Sequence, residues 1–151
     1  MALDVTHAIN RALADIFAEA EEAITLDSAG MVTLVFDRDV VLTLDLDPAG
    51  DGLALHAAVM AAARPEAELL RRVCALNYFG LSPAGAWLAL DPASASLRLC
   101  SRLDAATAST PEGLIRAIDA MTTGVEAARA RLAQTDVKEM ALPQDETMLR
   151  L

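Results

Sequence analysis

The side chains best equipped for chemistry are few and scattered. The chain of 151 residues carries two histidines, His7 and His56, and two cysteines, Cys74 and Cys100. A cysteine hydrolase needs a thiol, a base beside it and a third group that orients the base. Cys100 and His56 come nearest to that requirement, because adjacent strands can bring them together. Nothing around them resembles a nucleophile signature, and no G-x-S-x-G turn offers a serine instead. Zinc needs three or four nitrogen or sulfur ligands, and these His and Cys residues have no paired spacing. A phosphate loop ends in Gly-Lys-Ser/Thr, whereas the sole lysine, Lys138, follows Val137. Asp45, Asp47 and Asp51 are spaced like a loose calcium loop. The acidic ligand that closes such a loop is absent and the flanks read as strands. The residue inventory therefore predicts no enzyme, no metal and no cofactor.

Composition moves the expectation toward surface contacts. Apolar residues make up 54% of the chain and aromatics only 3%, so the core is built from Leu, Val, Ile, Ala and Met. The mean hydropathy is +0.35, yet no run reaches the roughly 18 apolar residues of a membrane span. Asp4, Arg11, Asp15 and Glu19 interrupt the first twenty residues in a helical pattern, unlike a secretory signal. Surplus apolar surface then belongs in an oligomer interface or a partner site. The net charge of −10 disfavours nucleic acid, since phosphates repel such a surface. Two unpaired cysteines fit a reducing, cytosolic compartment.

Periodicity supplies the elements that would position any site. Val5, Ile9, Leu13, Ile16 and Phe17 form the apolar stripe of a first helix over residues 5–20. Asp27-Ser28-Ala29-Gly30 is a turn, followed by a strand over Met31–Phe36. Val40, Leu42, Leu44 and Leu46 alternate with Val41, Thr43, Asp45 and Asp47, and Leu53, Leu55, Ala57 and Val59 form the next inward face. Pro65 opens a second helix that Gly80 stops. Ala86–Leu90 and Leu97–Leu103 are two further strands. Thr110-Pro111-Glu112 starts a long last helix with a hydroxyl cap, a proline and a carboxylate. The order α-β-β-β-α-β-β-α predicts an α+β fold with helices on a twisted antiparallel sheet. Residues 1–133 make one domain and 134–151 a flexible tail.

The segments LLRRVCALN, GAWLALDP and LRLCSRL, in that order, resemble the class I chaperones of type III secretion systems, the CesT/Tir-chaperone family. That family shows a leucine-rich helix ending in Leu-Asn, a small-residue turn, a Leu-x-Leu-Asp strand and a Leu-x-Leu strand ending in Arg-Leu. Here these are Leu76-Asn77, Gly85-Ala86, Leu88-Ala89-Leu90-Asp91, Leu97-Arg98-Leu99 and Arg102-Leu103. The order of the upstream strands agrees, and the resemblance spans residues 3–133. It implies a homodimeric, ATP-independent chaperone of the bacterial cytosol. Such a protein holds the N-terminal chaperone-binding segment of a secreted effector in extended form, with the secretion-system ATPase as a further partner. Neither nucleic acid nor membrane insertion is implied.

On that reading, the effector site draws on Ile9, Leu13, Ile16 and Phe17 of the first helix and Met31, Thr33 and Val35 of the first strand. The exposed edge of that strand is available for β-augmentation. A second stripe on the middle helix, Leu70, Val73, Cys74 and Asn77, joins Trp87 in an isologous dimer interface. Two alternatives stay open. One is a small dimeric adaptor of profilin-like or roadblock-like form that binds folded partners. The other is a hot-dog or ketosteroid-isomerase-like enzyme with a buried carboxylate base, against which Asp45 and Asp47 alternate outward.

Overall fold

A computed structural model describes residues 2–37, 39–80 and 85–134. The tail expected to be flexible therefore lies, apart from Gln134, outside the described residues. The elements are α1 (Ala2–Ile16), β1 (Met31–Phe36), β2 (Val40–Leu46), β3 (Gly52–Ala61), α2 (Ala67–Phe79), β4 (Trp87–Asp91), β5 (Ser96–Asp104), α3 (Ala105–Ala108) and α4 (Pro111–Ala133). The five strands form one sheet in the order β1-β2-β3-β5-β4, antiparallel throughout. The α+β expectation holds. The added element is α3, a single turn whose Asp104 cap accepts a hydrogen bond from the Thr107 N–H.

Alternation decides which face is buried. Leu42, Leu44, Leu53, Leu55, Leu97 and Leu99 point to one face, where α4 seats Leu114, Ile118, Met121 and Val125 against them. α1 adds Ile9, Ala12 and Leu13 to the same core. Gly124 is what lets α4 come close: a Cβ there would lie 2.8 Å from Cδ2 of Leu99. Thr110 caps α4 by accepting from the Gly113 N–H, with Pro111 in the first turn, as its sequence requires.

Two arginines tie helix to sheet and helix to helix. Arg129 of α4 donates to the carbonyls of Val59 (3.0 Å), Ala58 (3.3 Å) and Asp39 (3.2 Å). These satisfy backbone at the irregularity in β3 and at the β1–β2 turn, where Asp39 has a positive φ of 57°. Arg72 of α2 donates to the Leu132 carbonyl at 3.2 Å, partnering an otherwise unpaired group in the last turn of α4.

Helix boundaries differ from the sequence reading. α1 ends at Ile16, not residue 20, because the chain turns back and the Leu26 N–H donates to the Asn10 side chain at 2.8 Å. Pro65 stands before the cap rather than inside α2, which Glu66 caps without a side-chain bond.

Candidate functional site

The site is built from an unsatisfied edge. In an antiparallel pair, successive residues alternate between facing the partner strand and facing away from it. The Leu46 N–H donates to the Gly30 carbonyl at 2.9 Å. With Met31 opposite Asp45 and Thr33 opposite Thr43, that bond fixes the phase. Val32, Leu34 and Phe36 turn their backbone groups toward β2. Met31, Thr33 and Val35 turn theirs to the free edge.

Met31 is already served there. Its N–H donates to Oδ1 of Asp27 at 2.9 Å and its carbonyl accepts from the Asp27 N–H at 2.8 Å. Beyond that contact the segment before the turn diverges from β1. A groove of about 450 Å³ opens between Glu22–Thr25 and Val32–Phe36, with Phe17 in its wall. Thr33 and Val35 present their N–H and C=O groups to it in succession.

The residues expected to bind an effector are distributed as follows. Phe17 lines the groove, and Thr33 and Val35 lie along it. Val35 is 77% exposed and Met31 is also exposed. Ile16 is partly buried against the core. Ile9 and Leu13 are fully buried; they fill the core under the sheet and are corrected from contact residues to core residues. A second correction concerns faces. Met31, Thr33 and Val35 point away from the helices, whereas Ile16 and Phe17 lie on the helix side. Only the edge of β1 brings the two sets together.

The stripe assigned to a dimer interface also divides. Leu70 and Cys74 are exposed on α2. Tyr78, one turn further along and unnoticed in the sequence, extends their row at 79% exposure. Val73 is buried, together with Leu76, against the core, so it leaves the interface set. Asn77 is spent within the chain: its carboxamide donates to the Leu88 carbonyl at 2.9 Å and accepts from the Leu88 N–H at 2.7 Å. Trp87, 43% exposed, sits on the face opposite α2's packing.

The outer face of the sheet holds the only histidine–cysteine pair among the described residues. Thr33, Thr43, His56, Cys100 and Trp87 stand opposite one another across all five strands. His56 is thus beside Cys100, as the strands allow. Yet its Nδ1 accepts from Nε of Arg98 at 3.1 Å. Partial burial, reinforced by the Arg98 charge, holds the imidazole below its ordinary pKa. Burial likewise pushes the Cys100 thiol up, though Arg98 opposes the rise. A base that resists protonation beside a thiol that resists ionisation is the reverse of an activated nucleophile. Asp45 and Asp47 are partly exposed, and Arg102 bridges Asp47 and Asp51 at 2.8 Å each. No group of three metal-ligating side chains occurs among the described residues.

Against this geometry, the sequence pattern of the Tir chaperone protein (CesT) family matches residues 11–129, from within α1 to within α4. The chain belongs to the CesT family. A comparison with curated proteins finds no match. Among solved structures, the CesT-family chain is similar to one in the ExsC–ExsE complex. The identity is 22%, with 87% of this chain and 98% of that one covered and a TM-score of 0.72. It is similar to one in the HopA1–SchA chaperone–effector complex, at 19% identity, 83% and 95% coverage and a TM-score of 0.64. It also resembles one in the heterodimeric ExoU–SpcU complex from the type III secretion system of Pseudomonas aeruginosa, at 17% identity, 83% and 98% coverage and a TM-score of 0.57. These likenesses establish the fold. The CesT family is one of chaperones and not a class of enzymes. None of the helices among the described residues is long and apolar enough to cross a membrane.

Proposed function

We propose that this CesT-family chain is an ATP-independent chaperone of the bacterial cytosol that holds the N-terminal segment of a type III secreted effector in extended form. The observation that carries the reading is the pair of edge residues Thr33 and Val35, whose backbone groups face away from β2 into an open groove. An extended client adds a strand to β1 through their N–H and C=O groups. Its alternate side chains meet Phe17, Ile24 and Phe36 on the helix side of the edge, and Val35 and Met31 on the other. Family membership and the chaperone–effector complexes of similar fold support the assignment.

The working unit is a homodimer in which Leu70, Cys74 and Tyr78 of α2, with Trp87, meet a second copy. Because Trp87 and the α2 row flank β4 from different sides, the partner copy wraps that edge with side chains. Binding and release need no covalent step, which agrees with the resting state of Cys100 and His56. The secretion-system ATPase is the further partner that receives the loaded dimer.

Co-expression with the protein encoded beside it, followed by limited proteolysis of the complex, tests this function. Protection of a stretch near the client's N-terminus, in a client otherwise digested, is the expected result. An intact folded partner with no protected extended stretch supports the adaptor alternative instead.

A further inference from the structure

A five-stranded open sheet has two edges, and a chaperone that works by strand addition must keep its client, and strands of its own copies, from pairing with the wrong one. The second edge is β4. Here the bond phase is set by Asn77. Its side chain engages both the N–H and the C=O of Leu88 (2.7 and 2.9 Å), so Leu88 faces away from β5. By alternation Leu90 does too, while Trp87, Ala89 and Asp91 face β5. The carboxamide of Asn77 thus occupies the place of a neighbouring strand's peptide group at Leu88, the second residue of β4.

The two edges are closed to different extents. On β1 the terminal residue Met31 is sealed by Asp27, leaving Thr33 and Val35 as consecutive open positions. On β4 only Leu88 and Leu90 face outward, and Leu88 is sealed, leaving Leu90 alone within the strand. A strand cannot zip onto a single residue, because the first pair of bonds must offset the ordering of the incoming chain. Leu90 is 40% exposed, so the side-chain surface that would attract an apolar strand is present, and the backbone that would hold it is not.

We propose that Asn77 is an edge plug. It closes the backbone of β4 to strand addition, by an extended client or by a strand of a second copy, and leaves the side chains around that edge free to pack against a partner. This rests on the chaperone reading for the client but stands by itself for self-association. Asn suits the role because its carboxamide supplies one donor and one acceptor in the geometry of a peptide group. Asp keeps only the acceptor and sets a carboxylate against the Leu88 carbonyl.

The test uses the full-length protein, its Asn77→Ala and Asn77→Asp variants, and a short alternating Val-Thr peptide as the strand probe. The same peptide, N-methylated at alternate residues, is unable to pair and is the control. Residue-resolved amide exchange and sedimentation velocity are the readouts, with urea titration to separate local from global effects. In the parent protein the Leu88 amide is protected and the probe leaves Leu90 unchanged. In Asn77→Ala, Leu88 exchanges roughly tenfold faster. Leu88 and Leu90 are then protected by the unmethylated probe alone, or the variant forms larger assemblies that dilution reverses. Asn77→Asp gives an intermediate result.

Unchanged Leu88 exchange in Asn77→Ala overturns the proposal. So does a newly exposed Leu88 to which neither probe nor second copy pairs, or a fall in stability with no new pairing. Should the probe fail to protect Thr33 and Val35 in the parent, the β1 reading fails. The opening of β4 in the variant would then still support the plug.

Discussion

Asp27 and Met31 are joined twice, backbone to backbone at 2.8 Å and carboxylate to backbone at 2.9 Å, and this clasp sets where the groove beside β1 begins. The same carboxylate oxygen also accepts from the Ala29 N–H at 2.8 Å, so one side chain closes the turn and hinges the diverging segment. Asp27→Ala removes both side-chain bonds and is expected to cost about 1 kcal/mol in urea titration and to weaken client binding several-fold as the groove wall loosens. Asp27→Asn retains an acceptor and stays near the parent. Equal client affinity for all three proteins would remove the clasp from the site.

Val35 tests the edge itself. At 77% exposure it carries little of the core, so Val35→Asp is expected to change stability by no more than about 0.5 kcal/mol. A charge at the open edge desolvates poorly against an apolar client. Capture in a pull-down should be abolished, with the dimer retained. Capture at the parent level would take Val35 out of the site.

Cys74 tests the dimer. Its side chain is exposed on the α2 face that also shows Leu70 and Tyr78. Cys74→Arg on each copy places like charges against each other across a two-fold contact. Light scattering should then report the monomer mass. A dimer of unchanged mass would reject the α2 interface.

His56 makes stability depend on pH. Burial first, then the Arg98 charge, depresses its folded pKa below the ordinary 6.5, while Asp45 and Asp91 partly oppose the shift. Arg98 donates to its ring, and Thr43 and Cys100 stand opposite it on the flanking strands. The unfolded chain therefore takes up the proton first as the pH falls. The stabilisation is complete above the ordinary value and is lost as pH falls through the folded value. Asp47, Asp91 and Asp104 are held below the usual carboxylate range by hydrogen bonds, so their losses come at lower pH. Thermal melts from roughly pH 7 to pH 5 should show a decline in the parent that His56→Gln lacks. Identical slopes would exclude His56 as the cause.

Much of the fold was legible because pattern and burial coincide. The alternation of Val40, Leu42, Leu44 and Leu46 is the buried face of β2, and Thr110-Pro111-Glu112 starts α4 as such triplets do. α3 was not legible, since four residues of Ala and Thr carry no period. The helical pattern runs past the end of α1 because Ala18 and Ala20 favour helix, whereas a turn closed by the Ala20 N–H on the Phe17 carbonyl and the tertiary bond from Leu26 to Asn10 take the chain away.

The site was partly legible. An apolar strand with two usable faces singles out Met31–Phe36, and the structure places it at a sheet edge with Met31 and Val35 exposed. Sequence alone does not say how deeply a helix stripe is buried, and so Ile9 and Leu13 were assigned to the surface. Nor does it say that a polar residue at a helix end closes on a strand eleven positions later, which is why Asn77 read as a partner contact. The one cue was the Leu76-Asn77 pair in the last turn of α2, ahead of a strand.

The most direct measurement is residue-resolved amide exchange on the full-length protein with and without the N-terminal segment of its co-expressed client. The account predicts that the Thr33 and Val35 amides become strongly protected while Leu90 is unchanged. Protection confined to other elements, with Thr33 and Val35 exchanging as freely as in the empty protein, would contradict it.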